Sequence, residues 1–151
     1  MSSQVTADVL AEVAASVLED AAFVFTERAP GPTAWSETAV AAEIGYGGPE
    51  EGELVLVTSP PLAAQLAANM LGVELDDPEV AERAADAVRE MLNVVAGALM
   101  ARVFGTSVVC HLEVPRAPTA RPDGAPPPCC TVDLVTMEGD CLELRIFGKG
   151  A

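Results

Sequence analysis

Residues 77–105 read DPEVAERAADAVREMLNVVAGALMARVFG, and this stretch predicts the longest helix of the chain. Asp77 followed by Pro78 is typical of a helix start, because Asp caps free N–H groups and Pro suits the first helical position. Apolar residues then recur at spacings of three and four, which places them on one face: Val80, Ala84, Val88, Met91, Val95 and Ala98. We therefore predict a helix from residue 78 to about Gly105 with this stripe in the core.

Shorter elements are predicted on both sides of the long helix. Ser59 followed by Pro60 marks a second helix start, and Gly72 marks its end. Period-two alternation of apolar residues predicts strands before and after the helices. In chain order the remaining elements are a helix over 5–25, a hairpin of strands 37–45 and 53–59, a helix over 60–71, and, after the long helix, three strands within 108–114, 130–134 and 142–146.

This order of elements predicts an α+β fold. A helix, a two-stranded hairpin, two helices and three strands favour a mostly antiparallel sheet with the helices on one face. The length of 151 residues fits one domain over 1–151. Six prolines between residues 115 and 128 prevent regular pairing, so this Pro-rich stretch is expected to be an exposed loop that tolerates shortening.

Composition narrows the classes of partner. The chain has 8 basic and 23 acidic residues, a net charge of −15, which disfavours binding to nucleic acid and to anionic membranes. No apolar run approaches the roughly 18 residues of a membrane span, and the N-terminus does not resemble a signal peptide, so we expect a cytoplasmic protein. The four cysteines lack CxxC spacing and are expected to be free thiols without a metal: Cys110, Cys129, Cys130 and Cys141.

Polar residues form a second stripe on the long helix. At 100° per residue, Asp86, Glu90, Asn93 and Gly97 fall within about 60° of one another. Asn in mid-helix is less favourable than Ala by up to about 0.7 kcal/mol, so a functional role would explain its presence. On composition alone, an ordinary solvated helix edge explains the stripe at least as well, and both interpretations remain open.

The polar stripe resembles the motif of the CheC/CheX-type chemotaxis phosphatases. That motif is Asp or Ser, three residues, Glu, two residues and Asn on a long helix, and it reads here Asp86-Ala-Val-Arg-Glu90-Met-Leu-Asn93. The segments 51–56 and 68–72 resemble those that precede the motif in CheX. The resemblance extends over residues 40–148 and implies a CheC-like fold.

The resemblance also implies an activity, namely hydrolysis of the aspartyl phosphate of a CheY-like response-regulator receiver domain in chemotaxis or related two-component signalling. Glu90 and Asn93 are then catalytic, and Asp86, Arg89 and Gly97 bind the phosphorylated partner. An Asn amide can accept a hydrogen bond from water and donate one to a phosphoryl oxygen, while the Glu engages a cation on the regulator. The partner is expected to supply Mg²⁺, so no cofactor of the protein's own is expected, and the family implies a homodimer paired through a sheet edge.

Some features depart from the family pattern. Arg89 and Leu92 stand where CheX proteins more often have small residues, so their bulk is expected to narrow access or to change which regulator fits. The opening helix carries a faint copy of the motif in Asp8, Glu12 and Ala15, as expected of a pseudo-repeat whose second site lost its amide. Two alternatives remain, a module that binds receiver domains without hydrolysis and a structural component of a flagellar-switch-like assembly.

Overall fold

The computed structural model describes residues 4–149, in which three helices pack against one six-stranded sheet. The bounds are α1 (Ala7–Ala22), β1 (Thr26–Arg28), β2 (Val40–Gly47), β3 (Gly52–Thr58), α2 (Pro60–Leu71), α3 (Pro78–Phe104), β4 (His111–Leu112), β5 (Cys130–Thr136) and β6 (Cys141–Gly148). The strand order is β1-β5-β6-β3-β2-β4, and every pair of neighbours is antiparallel. The predicted α+β class with an antiparallel sheet is confirmed. None of the helices described is long and apolar enough to cross a membrane.

The apolar core lies between the sheet and the three helices. Leu54 and Leu56 of β3 are buried together with Leu66 of α2 and with Val88 and Leu99 of α3. α1 packs on α3 and β5, and α3 packs on β2. The helices therefore cover one face of the sheet, as predicted from the order of the elements.

The long helix begins where its sequence predicts. The Asp77 side chain accepts a hydrogen bond of 2.9 Å from the Glu79 N–H, which satisfies one of the free donors of the first turn. In the predicted apolar stripe, Val80, Val88, Met91 and Val95 are buried, and the two alanines are half-buried. The stripe fixes which side of α3 faces the core and hence which side faces outward.

Two edge strands differ from the prediction. β1 was not predicted, because its three residues, Thr26–Arg28, are polar and show no alternation; it is recognisable only through its pairing with β5. The predicted strand within 108–114 is wrong in its extent, since only His111–Leu112 pairs as β4. Val109 before it is exposed, and Pro115 after it has no N–H to donate to a ladder.

The other face of the sheet is charged. Glu43 on β2 is fully buried there, and it accepts hydrogen bonds from Arg116 at 3.1 Å and from the backbone N–H and hydroxyl of Thr119. Arg121 lies 3.9 Å from the same carboxylate. The Pro-rich loop is mostly exposed, as predicted, but these contacts restrict its expected tolerance of shortening to the part after Arg121.

The topology has an internal symmetry. One half contributes α1 with β1, β2 and β3, and the other contributes α3 with β4, β5 and β6. If β1 is exchanged with β4, β2 with β5 and β3 with β6, the strand order becomes its own reverse. The β6–β3 pair lies at the centre of this symmetry. The arrangement supports the pseudo-repeat that the faint copy of the motif on α1 suggested.

Candidate functional site

The motif residues lie on the outer side of α3. Asp86, Glu90 and Asn93 are exposed and Gly97 is half-buried. Glu90 and Asn93 are nearly one turn apart, a rise of about 4.5 Å along the helix axis. Neither side chain has a hydrogen-bond or ion-pair partner within residues 4–149. A carboxylate and an amide are therefore presented together, with their polar atoms available to an incoming molecule.

These two residues line an open groove, here called the motif groove, with a volume of about 470 Å³. One wall is α3, and the other is the chain segment that follows β4. The lining residues are Arg89, Glu90, Asn93, Glu113, Val114 and Pro115. Sequence reasoning identified the helical wall alone, because helical periodicity says nothing about which strand edge lies beside the helix.

Arg89 and Asp86 form an ion pair beside the groove. The Arg89 Nη1 to Asp86 Oδ1 distance is 3.2 Å, and Arg83 lies 3.8 Å from the same carboxylate. All three side chains are substantially exposed, and such pairs stabilise a protein by about 1 kcal/mol or less. A binding partner can therefore displace Arg89 or Asp86 from the pair at little cost.

The two bulky residues of the motif region differ in their effect on access. Leu92 is fully buried in the core and does not line the groove, so the expectation that it narrows access is wrong. Arg89 does line the groove, as that expectation requires. At Gly97, an added Cβ would lie 3.9 Å from Leu112 of β4, which is an ordinary contact. Sterics therefore do not require the glycine. Because it has no side chain, it leaves space between α3 and β4 at this position.

The faint copy of the motif on α1 lines a second groove, next to β1. Its two acids are already paired: Asp8 lies 3.2 Å from Arg28, and Glu12 lies 3.0 Å from Arg102. Ala15 stands where the amide would be. This groove differs from the motif groove because both of its motif acids are paired and its motif position for the amide is an alanine.

Metal ligands are not gathered at either groove. Among the residues described, no group of three or more His, Cys, Asp or Glu side chains is arranged to hold a metal ion. The motif groove offers one carboxylate and one amide from α3, with Glu113 on the opposite wall. Glu113 is itself held by Arg116 at 2.7 Å.

The comparisons with known proteins identify a family whose model spans the motif helix. The family model described as chemotaxis phosphatase CheX matches residues 40–121, which is more than half of the chain and includes the whole motif. CheX from Vibrio vulnificus is similar at 18% identity and a TM-score of 0.75, with 99% of this chain and 100% of that chain covered.

Two other solved structures share the fold. A chain of the CheX-CheY-BeF3-Mg²⁺ complex from Borrelia burgdorferi is 20% identical, with a TM-score of 0.69 and coverage of 95% of this chain and 97% of that chain. FliY from Thermotoga maritima is 16% identical, with a TM-score of 0.55 and coverage of 94% and 89%. No curated protein sequence matches the chain significantly. With the family model matched across the motif helix, the chain belongs to the CheX family of chemotaxis phosphatases.

Proposed function

We propose that this protein hydrolyses the aspartyl phosphate of a CheY-like receiver domain and that Glu90 and Asn93 perform this work from the motif groove. The observation that carries the proposal is their joint exposure on one face of a long, well-packed helix, with no partner among the residues described. A receiver domain can therefore meet both side chains at once without breaking an internal contact.

The chemistry needs positioning more than covalent help. A water oxygen attacks phosphorus in line, the bond from phosphorus to the aspartyl oxygen breaks, and the products are inorganic phosphate and the free aspartate carboxylate. The Asn93 carbonyl accepts a hydrogen bond from this water, and its NH₂ group donates to a phosphoryl oxygen. Holding water in line by a rigid helix lowers the entropy cost of reaching the transition state.

Glu90 acts through its charge. We assign it an ion pair with a cation on the regulator, which aligns α3 with the phosphoryl pocket. The approach of an acidic protein to an anionic site requires compensating charge at contact, and the Mg²⁺ of the regulator supplies it. The likeness to a chain of a complex that holds CheY, Mg²⁺ and BeF3, a stand-in for a phosphoryl group, supports a metal brought by the partner.

We further propose that the protein acts in the cytoplasm as a homodimer. The sheet ends in two edge strands, β1 and β4, and unpaired edges can pair with a second copy. Because the motif groove lies beside the β4 edge, the β1 edge is the one that a second copy can use while a receiver occupies the groove.

The test is release of phosphate from phosphorylated receiver domains. The expected result is faster loss of phosphate than the receiver shows alone, with the protein present in catalytic amounts. Binding of a phosphorylated receiver without acceleration would contradict hydrolysis and favour the binding module. If the protein neither binds any receiver domain of its source nor accelerates its loss of phosphate, the proposal is overturned altogether.

A further inference from the structure

The sheet edge beside the motif groove stays in register through the end of β4. Leu112 pairs with Tyr46, and the Glu113 N–H donates a hydrogen bond of 2.9 Å to the Gly45 carbonyl. The next residue on this edge that pairs with β2 is Arg116. The pairing register with β2 at Arg116 therefore differs by one residue from the register at Leu112 and Glu113.

The difference produces a β-bulge. Arg116 and Glu43 exchange two backbone hydrogen bonds of 2.9 and 2.8 Å. Val114 and Pro115 therefore stand together opposite the single residue Ile44 of β2. A bulge of this kind interrupts the ladder and changes the direction of the side chains on the bulged strand, and bulges are frequent next to active sites.

The bulge sets Val114 on the surface at the groove. In a regular strand, Val114 would share the helix-facing side with Leu112 and Ile44. Instead Val114 is 82% exposed and, with Pro115, lines the same groove as Glu90 and Asn93. A valine so exposed loses contact with water only when another molecule covers it.

A network of ion pairs holds the bulge in place. The Arg116 guanidinium lies 3.1 Å from Glu43, 2.7 Å from Glu113 and 3.3 Å from Glu53. Burial alone would raise the pKa of Glu43, but the hydrogen bonds from Thr119 and the charges of the nearby arginines outweigh burial and lower it. The carboxylate therefore stays ionised, and the bulge is anchored immediately after Pro115.

We propose that the Val114–Pro115 bulge is a second contact for the receiver domain, an apolar ledge that faces the catalytic helix across the motif groove. This inference rests on the proposed function. A receiver that brings its phosphoryl group to Asn93 must cover the opposite wall of the same groove, and Val114 is the most exposed apolar residue on that wall. The ledge stabilises the complex equally before and during the reaction, so it contributes to affinity and not to the rate of the bound complex.

The experiment compares Val114→Asp with Val109→Asp. Val109 is 75% exposed and lies before β4, outside the motif groove, so it is a matched control. Affinity is measured for a receiver domain loaded with BeF3 and Mg²⁺, and turnover for the same receiver when phosphorylated. Val114→Asp is expected to weaken binding and raise KM by about tenfold or more with kcat unchanged, because it places a charge in an apolar contact. Val109→Asp is expected to match the wild type.

The outcomes separate this inference from the proposed function. If Val114→Asp binds and turns over like the wild type while Asn93→Ala is inactive, the ledge is refuted and the phosphatase assignment stands. If Asn93→Ala retains full activity, the catalytic assignment fails whatever Val114→Asp does. Equal weakening by both aspartates would trace the effect to added negative charge and also refute the ledge. Unchanged melting of both variants checks that the fold is intact, and retained affinity in Val114→Ile supports an apolar contact.

Discussion

At the scale of single residues, Glu90 and Glu12 have equivalent positions in the two halves of the fold but different surroundings. Glu12 is paired with Arg102 at 3.0 Å, whereas Glu90 has no partner within the described part of the chain. We expect Glu90→Ala to weaken both receiver affinity and turnover by about tenfold or more, because its ion pair forms in the ground state as well as in the transition state. Glu12→Ala is the control and should leave both unchanged. An undiminished affinity in Glu90→Ala, measured by titration calorimetry, would contradict the role.

A pair of carboxyl groups on the charged face of the sheet gives the protein a pH dependence. Asp133 and Glu143 are cross-strand partners, and Glu143 also accepts hydrogen bonds from Trp35 at 3.2 Å and from Arg145. Burial and the neighbouring Glu143 raise the pKa of Asp133 to about 6, and hydrogen bonds from its neighbours lower that of Glu143 despite burial. The two carboxyl groups thus share one proton at mildly acidic pH.

This pair predicts that Asp133→Asn stabilises the protein at neutral pH. The folded state holds the Asp133 proton more tightly than the unfolded state, so the stability from this proton is fully present below about pH 4 and is lost as pH rises through 6. An Asn amide can donate to Glu143 at every pH. We expect Asp133→Asn to raise the free energy of unfolding by about 1 to 2 kcal/mol at pH 8, a figure that already allows for the partial exposure of the pair. At pH 4 we expect little increase. Thermal melting from pH 4 to 8 measures it, and an equal gain at both ends would contradict the shared proton.

Some residues of the site could be predicted from the sequence, and others could not. Asp86, Glu90, Asn93 and Gly97 belong to one helix, so periodicity alone placed them on one stripe. Val114 could not be predicted, because its exposure depends on a bulge whose existence depends on the pairing register with β2. The burial of Leu92 could have been predicted, since a helical projection puts it on the core side.

At the scale of elements, the predictable parts were those with a strong local pattern. α2 and α3 begin at Ser/Asp-Pro pairs and were predicted to within a few residues, as was the β2–β3 hairpin. β1 has three polar residues, and β4 only two residues in its ladder, so neither carries a pattern of its own. Such edge strands form because a neighbouring strand offers unpaired backbone groups, and a single sequence does not show that neighbour.

The Pro-rich loop is predicted to have two parts with different importance. Arg116→Ala should destabilise the protein by about 2 kcal/mol, since it removes the closest cation from the fully buried Glu43, with a discount because Arg116 is itself partly exposed. Arg102→Ala, which breaks only an exposed pair, should cost about 0.5 kcal/mol or less. Shortening between residues 122 and 127 should cost little. Denaturant unfolding compares all three, and a loss on shortening as large as that of Arg116→Ala would contradict this division.

At the scale of the whole molecule, the proposed dimer depends on the β1 edge and on the charge. Each chain carries −15, so association should strengthen when salt screens the repulsion between copies. Sedimentation at micromolar concentration should show a dimer that becomes tighter between low and about 0.5 M salt. Val114→Asp at the β4 side should leave this dimer unchanged. A strictly monomeric protein at every salt concentration would contradict the proposed pairing.

The central claim is that the amide of Asn93 positions the attacking water, and one measurement tests it most directly. Phosphate release from a phosphorylated receiver domain is compared between the wild type and Asn93→Ala, with affinity for the BeF3-loaded receiver measured on the same samples. Asn93 is exposed and unpaired within residues 4–149, so its loss should not unfold the protein. The account predicts that turnover falls by about a hundredfold or more, while affinity stays within about twofold, because the interaction is made in the transition state. Turnover at the wild-type rate in Asn93→Ala would contradict it.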